Sequence, residues 1–345
     1  MSNVTQVGID LAKNIFYLHG IDEKGNKVFA KKVSRDKLAV TIAHLPPCRI
    51  GMEACCGAHF WARTFQDMGH EVKLIHPKFV KPYVKTNKND CRDAEAIVEA
   101  MGRPTMRFVA IKQVVHQDIQ TLHRARSRYI RQRTAIANEI RGFLSEYGLV
   151  IPQGITHVRK RLPEILADTN VQLTSTLLGI LTELRDELIA TDGKIKCYDK
   201  QLEQIAQAHP LSKRLLKVPG IGVLNATILL VLLAQPHLFK CGREFAAYLG
   251  MVPRQYSSGG KQRLLGISKR GDVYARTLLV HAGRSNILAW RRKKELTTKL
   301  EAWGLDKAAT RGYNKGCCAV ANKIARIAWA MAAHEQEYQP TLLAA

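Results

Sequence analysis

The chain has no C-x-x-C pair, no long apolar run, no low-complexity tract and few acidic residues, and each shortage excludes something. Its eight cysteines are Cys48, Cys55, Cys56, Cys91, Cys197, Cys241, Cys317 and Cys318. Two adjacent pairs occur among them, but no spacing suits a structural zinc site, so they read as free thiols of a reducing compartment. The longest strictly apolar stretch, Ile228 to Ala234, falls far short of the roughly 20 residues of a membrane span. The opening MSNVTQVGIDL has no charged segment followed by an apolar one, so no secretory signal is expected and the cytoplasm is the expected location. The shortage of acids is the most informative: 29 Asp and Glu stand against 53 Lys and Arg, a net charge of +24. Such a chain attracts polyanions through counterion release, and nucleic acid is the natural partner. A ribosome-associated or merely adherent basic protein would have the same balance.

What is present is enough for packed cores. The apolar fraction is 46% over 345 residues, which allows two domains or one domain with a large insertion. Residues 4–10 and 15–21 read as strands, and the Glu23-Lys24-Gly25-Asn26 turn leads to a third at 27–33. A helix over 36–44, a strand ending at Glu53, a helix over 58–68, a strand over 71–76 and a helix opening near Asp90 follow. Three strands and then alternating helices and strands predict an α/β domain with a mixed sheet, over 1–110. From Ile119 to Tyr147 the positions Ile119, Leu122, Tyr129, Ile136, Ile140, Phe143 and Tyr147 follow a 3,4 spacing, with Arg126 and Arg133 on the same seam. A second stretch repeats it through Leu177, Leu181, Leu184, Leu188, Thr191, Ile195, Tyr198, Leu202 and Ile205. These predict a helical coiled-coil arm over 111–210, serving as an intramolecular hairpin or a dimerisation element. Arg124, Arg126, Arg128, Arg131 and Arg133 make its first helix a candidate phosphate-tracking surface. His209-Pro210 ends the arm, a mainly helical domain occupies 211–335, and 336–345 is a tail. From Met251 to Trp329 there are 17 Lys or Arg against 4 Asp or Glu, so this part is expected to touch nucleic acid.

Against that cationic background four carboxylates require a reason. Asp10 ends an apolar strand in Gly8-Ile9-Asp10-Leu11-Ala12-Lys13, and Glu53 ends a strand expected beside it. Asp90 and Asp93 share a face at i, i+3 on a helix that Asn89 or Asp90 could also cap. Carboxylates gathered in one site repel unless cations neutralise them, and two metals about 4 Å apart would serve phosphoryl transfer. Leu216 to Val223, with Gly220 and Gly222, resembles a helix-hairpin-helix turn and suits either a phosphate contact or a structural turn. The segment from Ala247 to Lys261, followed by Gly266 to Gly271, sets Ser257 and Ser258 before Gly259-Gly260 among Arg254, Lys261, Arg263, Lys269 and Arg270. Cations there could activate a serine hydroxyl, and both serines equally suit a turn.

Taken together, Gly8 to Lys13, Met52-Glu53-Ala54-Cys55, Lys88 to Ala94, Val218 to Gly222, and Gly250-x-x-Pro253 running to Gly271 resemble the DEDD transposases of the insertion-sequence one-ten family, in its eleven-eleven subgroup. The likeness covers nearly the whole chain. It implies a ribonuclease-H-like first domain similar to Holliday-junction resolvases of the RuvC type. It also implies that Asp10, Glu53, Asp90 and Asp93 bind magnesium, two ions per site, with manganese able to substitute. The family's attacking serine, which forms a transient phosphoserine link to DNA, falls on Ser258, with Ser257 as the alternative. The partners implied are the DNA of the element's ends and target, a structured noncoding RNA that bridges them by base pairing, and further copies of the chain in a dimer or tetramer at the nucleoid. A resolvase that uses water at the same acids is the competing expectation.

Overall fold

Apolar residues at every second position of successive strands define the sheet of the first unit. Val7 and Ile9, Phe16 and Leu18, Ile50 and Met52, Val72 and Leu74 are all buried in one core. Period-2 alternation sends their neighbours to the other face. The computed structural model describes residues 3–84, 90–169 and 171–343, and of Asp90 and Cys91 the backbone alone.

The strands are β1 (Gln6–Asp10), β2 (Ile15–Ile21), β3 (Lys27–Ser34), β4 (Arg49–Glu53), β5 (Glu71–Ile75) and the short β6 (Phe108–Val109). They form one mixed sheet in the order β3-β2-β1-β4-β5-β6. Pairing is antiparallel for β3 with β2, β2 with β1 and β5 with β6, and parallel for β1 with β4 and β4 with β5. Helices α1 (Arg35–Ala43) and α2 (Ala58–Asp67) contribute Leu38, Ile42, Trp61 and Phe65 to the core on one face. After the single turn α3 (Pro77–Val80), α4 (Asp90–Met101) lies on the opposite face, with Ala96, Ile97, Ala100 and Met101 in a second cluster with Ile75. The expected mixed α/β unit is present. β6 and α3 are additions, each too short to leave a periodic signal.

The chain divides into two compact units, 1–115 and 116–345. The second is mainly helical: α5 (Val114–Glu146), α6 (Ile155–Ala167), α7 (Ser175–Ala208), α8 (Pro210–Leu215), α9 (Val223–Leu232), α10 (Gly242–Tyr248), α11 (Val273–Arg291), α12 (Lys299–Arg311) and α13 (Tyr313–Ala333), with the hairpin of β7 (Pro253–Gln255) and β8 (Leu264–Ile267) between α10 and α11. α5 and α7 run antiparallel. Arg126 bonds Asp199 at 2.5 Å, Tyr129 stacks on Tyr198 at 5.8 Å between centroids, and Gln132 donates to Glu187 at 2.6 Å. On α7 the expected seam is buried at Leu177, Leu181, Leu188, Thr191, Ile195 and Leu202. On α5 the buried side drifts: His123 and Leu144 are buried, whereas Phe143 and Tyr147 are exposed. A straight helix turns 3.6 residues per turn, so a strict 3,4 count leaves the true face over four turns. Among the described residues no helix is long and apolar enough to cross a membrane.

Candidate active site and nucleic-acid interface

Two glycines in register explain where the acids of the first unit point. Gly8 of β1 pairs with Gly51 of β4. A Cβ on Gly8 would lie 2.2 Å from the Ala94 carbonyl oxygen, and one on Gly51 would lie 2.9 Å from Ile97 Cγ2. Both glycines therefore face α4 and let it seat directly on the sheet. Asp10 and Glu53 are two residues further along their strands, so period 2 turns both carboxylates to that same face. β1 and β4 are parallel, with Ile9 opposite Met52, so Asp10 and Glu53 are the next residues on adjacent strands, about 5 Å apart at the backbone. Both are half-buried. Desolvation raises the Cys55 thiol above its usual range, and the Glu53 and Asp10 carboxylates raise it further, so their negative fields overlap beside its sulfur.

Asp93 stands on the first turn of α4, half-buried, one residue before Ala94. Asp90 begins the same helix; its side chain, and Asn89, lie outside the described residues. Among the described residues, no three His, Cys, Asp or Glu side chains gather where they could hold a metal ion. Asp10 and Glu53 are nonetheless an oxygen-only pair in an otherwise cationic chain, which fits a hard divalent cation better than a softer metal.

The serines occupy the tip of the β7–β8 hairpin. Lys261 N donates to Ser258 O at 3.1 Å, and Gly259 and Gly260 have φ of 55° and 75°. Two successive left-handed residues are what a two-residue type I′ turn requires, which accounts for the glycine pair. Ser257 Oγ accepts from Gln255 Nε2 at 3.0 Å and from the Arg263 amide at 3.4 Å. Among the described residues nothing hydrogen-bonds Ser258 Oγ, and Ser258 is exposed. Arg254, Lys261, Arg263, Lys269 and Arg270 are all exposed, but only Lys261 and Arg263 lie beside the tip; Arg254 stands on β7, and Lys269 and Arg270 are at the neck, where the Lys269 amide donates to the Gly250 carbonyl.

The neck of this hairpin is tightly fixed. The Arg276 guanidinium is buried and donates to the carbonyls of Leu249 and Arg270, both at 3.0 Å. A Cβ on Gly250 would lie 2.0 Å from the Arg270 carbonyl oxygen. Sequence reasoning missed Arg276 as a neck residue, because an arginine in a basic segment carries no sign of burial. The one available signal was its place four residues after Asp272, the residue that caps α11 by accepting from the Ala275 amide at 2.8 Å.

The expected nucleic-acid contacts divide by environment. Arg124, Arg128 and Arg131 are exposed, spaced i, i+4, i+7 along one face of α5. Arg126 is half-buried and bonded to Asp199 and Tyr274. From there a chain runs inward: Tyr274 bonds His123 Nδ1 at 3.1 Å, His123 Nε2 bonds Thr227 at 3.0 Å, and Thr227 donates to the Val223 carbonyl at 2.7 Å. Burial pushes His123 down to about 4, with the Arg126 charge adding to it. In the turn between α8 and α9, Gly220 has φ 81° and packs on Asn286, which donates to the Pro219 carbonyl at 2.9 Å. Gly222 faces open space at the start of α9.

Comparison with known proteins gives a consistent result. A family model described as "Transposase IS116/IS110/IS902 family" matches residues 212–298, and the DEDD_Tnp_IS110 model, described as "Transposase", matches residues 7–149. The chain is 43% identical over 339 residues to the transposase for insertion sequence element IS1111A of Coxiella burnetii, covering 98% of this chain and 92% of that protein. It is 41% identical to a probable family 20 transposase of Pseudomonas aeruginosa, over 98% of this chain and 99% of the other. It is also 41% identical to the transposase for IS1328 of Yersinia enterocolitica, over 95% and 97%.

Proposed function

Because the chain belongs to the IS116/IS110/IS902 family of transposases, we propose that it cleaves and joins the DNA of an insertion sequence with Asp10, Glu53, Asp90 and Asp93 as metal ligands and Ser258 as the attacking group. The observation that carries this reading is the placement of Asp10 and Glu53 on adjacent parallel strand ends, both turned to the α4 face by the glycines two residues before them. The strand order, with three antiparallel strands followed by parallel ones, supports a ribonuclease-H-like first unit. Divalent metal ions, magnesium or manganese, would supply charge to polarise the phosphate and favour the attacking oxygen.

The chain's own residues divide the remaining work. Ser258 Oγ attacks a backbone phosphorus; the Oγ–P bond forms as the P–O bond to one sugar breaks. The serine proton goes to water, and the released sugar oxygen takes one from water. A hydroxyl of another strand end then attacks the phosphoserine, which joins the strands and returns the serine. Ser258 is favoured over Ser257 because the Ser257 hydroxyl is occupied in the hairpin. Lys261 and Arg263 would neutralise phosphates next to the serine, and Arg254, Lys269 and Arg270 phosphates further toward the neck of the hairpin. Arg124, Arg128 and Arg131 offer a second track, for DNA or for an element-derived RNA that pairs with donor and target. We further read the working form as a homo-oligomer, a dimer or tetramer.

Covalent trapping on element-end DNA tests the reading. Wild type with magnesium gives a protein–DNA adduct, Ser257→Ala keeps it, and Ser258→Ala, Asp10→Asn and Glu53→Gln lose it by on the order of 10³-fold or more. Strand cleavage by Ser258→Ala without an adduct would instead make the protein a water-using nuclease. Sequencing nucleic acid bound to protein taken from cells that carry the intact element tests the RNA: no element-derived RNA would end that part.

A further inference from the structure

The tip of the β1–β2 hairpin and the starts of α1 and α2 enclose a shallow cleft of about 690 Å³ that the catalytic proposal does not use. Its floor is the buried Trp61, and its walls are Phe60, Ile15, Asn14, Arg35 and Asp36. Phe60 is 52% exposed and Ile15 38% exposed, although both adjoin a well-packed core. Leaving such surface in water forgoes roughly 25 cal/mol per Å², so apolar groups held open together in a cationic chain point to something that covers them.

The chemistry of the walls selects the occupant. Phe60 meets Trp61 edge to face at 5.1 Å between centroids, and the Arg35 guanidinium lies 5.6 Å from the Trp61 ring. Arg35 is anchored at its root, because its amide donates to the Asn14 carbonyl at 2.9 Å and Nη1 donates to the Lys13 carbonyl at 3.3 Å. A flat π surface offered by Phe60, a flat cation beside it and the exposed Lys13 at the rim suit an aromatic group on a polyanion. The carboxylate of Asp36, which hydrogen-bonds with Ser34, supplies an acceptor for an exocyclic amino group.

We propose that this cleft stacks an unpaired base of the DNA strand next to the phosphate being cleaved, with Phe60 and Arg35 as the stacking residues. The choice of DNA rests on the catalytic reading of Asp10 and Glu53. Asn14 is four residues after Asp10, so at most about 14 Å of chain separates them. At about 3.4 Å per base along a duplex strand, roughly four nucleotides span the distance from Asp10, on the α4 face, to Asn14 at the rim of the cleft on the α1 and α2 side. Stripping one base out of its stack opens the neighbouring backbone to attack, which gives the cleft a purpose at this edge of the sheet.

The test uses the full chain in EDTA, so that no cleavage occurs, with single-stranded DNA oligonucleotides carrying 2-aminopurine at successive positions and the same sequences as RNA. Wild type changes the fluorescence at a stacked position. Phe60→Ala and Arg35→Gln each weaken DNA binding about tenfold and remove that change, whereas Phe60→Trp keeps both. Unchanged thermal melting of Arg35→Gln, whose side chain is exposed, separates this loss from misfolding. Binding by both variants within about twofold of wild type overturns the proposal, and tighter, Phe60-dependent binding of the RNA overturns the choice of DNA. If Asp10→Asn cleaves DNA with metal present, the catalytic reading fails while the stacking result stands on its own.

Discussion

Asp10 and Glu53 stand on strand ends whose neighbouring glycines are pressed against a helix, whereas Ser258 stands at the exposed tip of a two-residue turn. In the first unit the strand positions before the acids are set by close packing: Gly8 admits no Cβ because the Ala94 carbonyl fills the space, and Gly51 is pressed against Ile97. In the second unit the packing is confined to the neck, where Arg276 ties Leu249 to Arg270, and the tip beyond it touches little. The difference follows from what each group must do. Carboxylates that repel one another keep a fixed separation only if the scaffold opposes their spreading. A nucleophile has to meet a phosphate supplied from outside, so it gains from a rigid base and an open tip.

The largest effect expected from breaking this contrast is at Gly8. In Gly8→Ala the new Cβ would sit 2.2 Å from the Ala94 oxygen and 2.7 Å from Val98 Cγ2. Relief requires α4 to lift, carrying Asp93 with it, at a cost of about 3 kcal/mol or more. Melting of the first unit should fall by more than about 10 °C and cleavage should be lost, while the fold of the second unit is kept. A melting temperature within about 2 °C of wild type would show that α4 does not bear on Gly8.

An effect of similar size but pH-dependent is expected in the second unit. His123 is 1% exposed and its folded value is pushed down to about 4, below the 6.5 of the unfolded chain, by burial and by Arg126, with Asp272 opposing. The folded state thus disfavours the proton. The stabilisation is complete above pH 6.5 and is lost as the pH falls toward 4, on the order of 3 kcal/mol in all. Denaturant melts of wild type against His123→Gln from pH 7.5 to 4 check the sign: the two curves should converge in acid as wild type loses this contribution. A constant gap across that range would mean that His123 does not titrate on unfolding.

Much of this contrast could be read from the sequence. β1 to β5 are marked by short apolar runs between turn residues and, in β1 and β4, by strand-ending acids, because strands covered on both faces bury consecutive residues; α1, α2 and α4 are expected between and after them. Gly259-Gly260 marks the turn by an equally local signal. Three things escaped. β6 has two residues and depends wholly on β5 beside it. α6 carries Pro163 inside it, and local propensity argues against a helix there, yet Val158, Leu162 and Ile165 are buried against α5 and α7. Arg126 fitted both the apolar seam and the row of phosphate-tracking arginines, and its partner, Asp199, stands 73 residues later. Each depends on tertiary partners that no window of sequence contains.

The smallest effect is expected at Gly259, and it sharpens the comparison most. The same substitution that lifts α4 at Gly8 meets nothing at Gly259, where a Cβ would have no atom within 4 Å. Only the backbone objects, because φ is 55° and a side chain in the left-handed region costs about 1 kcal/mol. Gly259→Ala should therefore leave global melting unchanged within error, yet it should shift the turn that presents Ser258 and lower the rate of adduct formation. Asparagine accepts positive φ more readily than alanine, so Gly259→Asn should retain more of that rate at equal bulk near the backbone. If alanine and asparagine slow the reaction equally, crowding at the tip governs attack and the turn conformation does not. If neither slows it, the hairpin tip is not where the strand is attacked, and Ser258 loses its role while the acids of the first unit keep theirs.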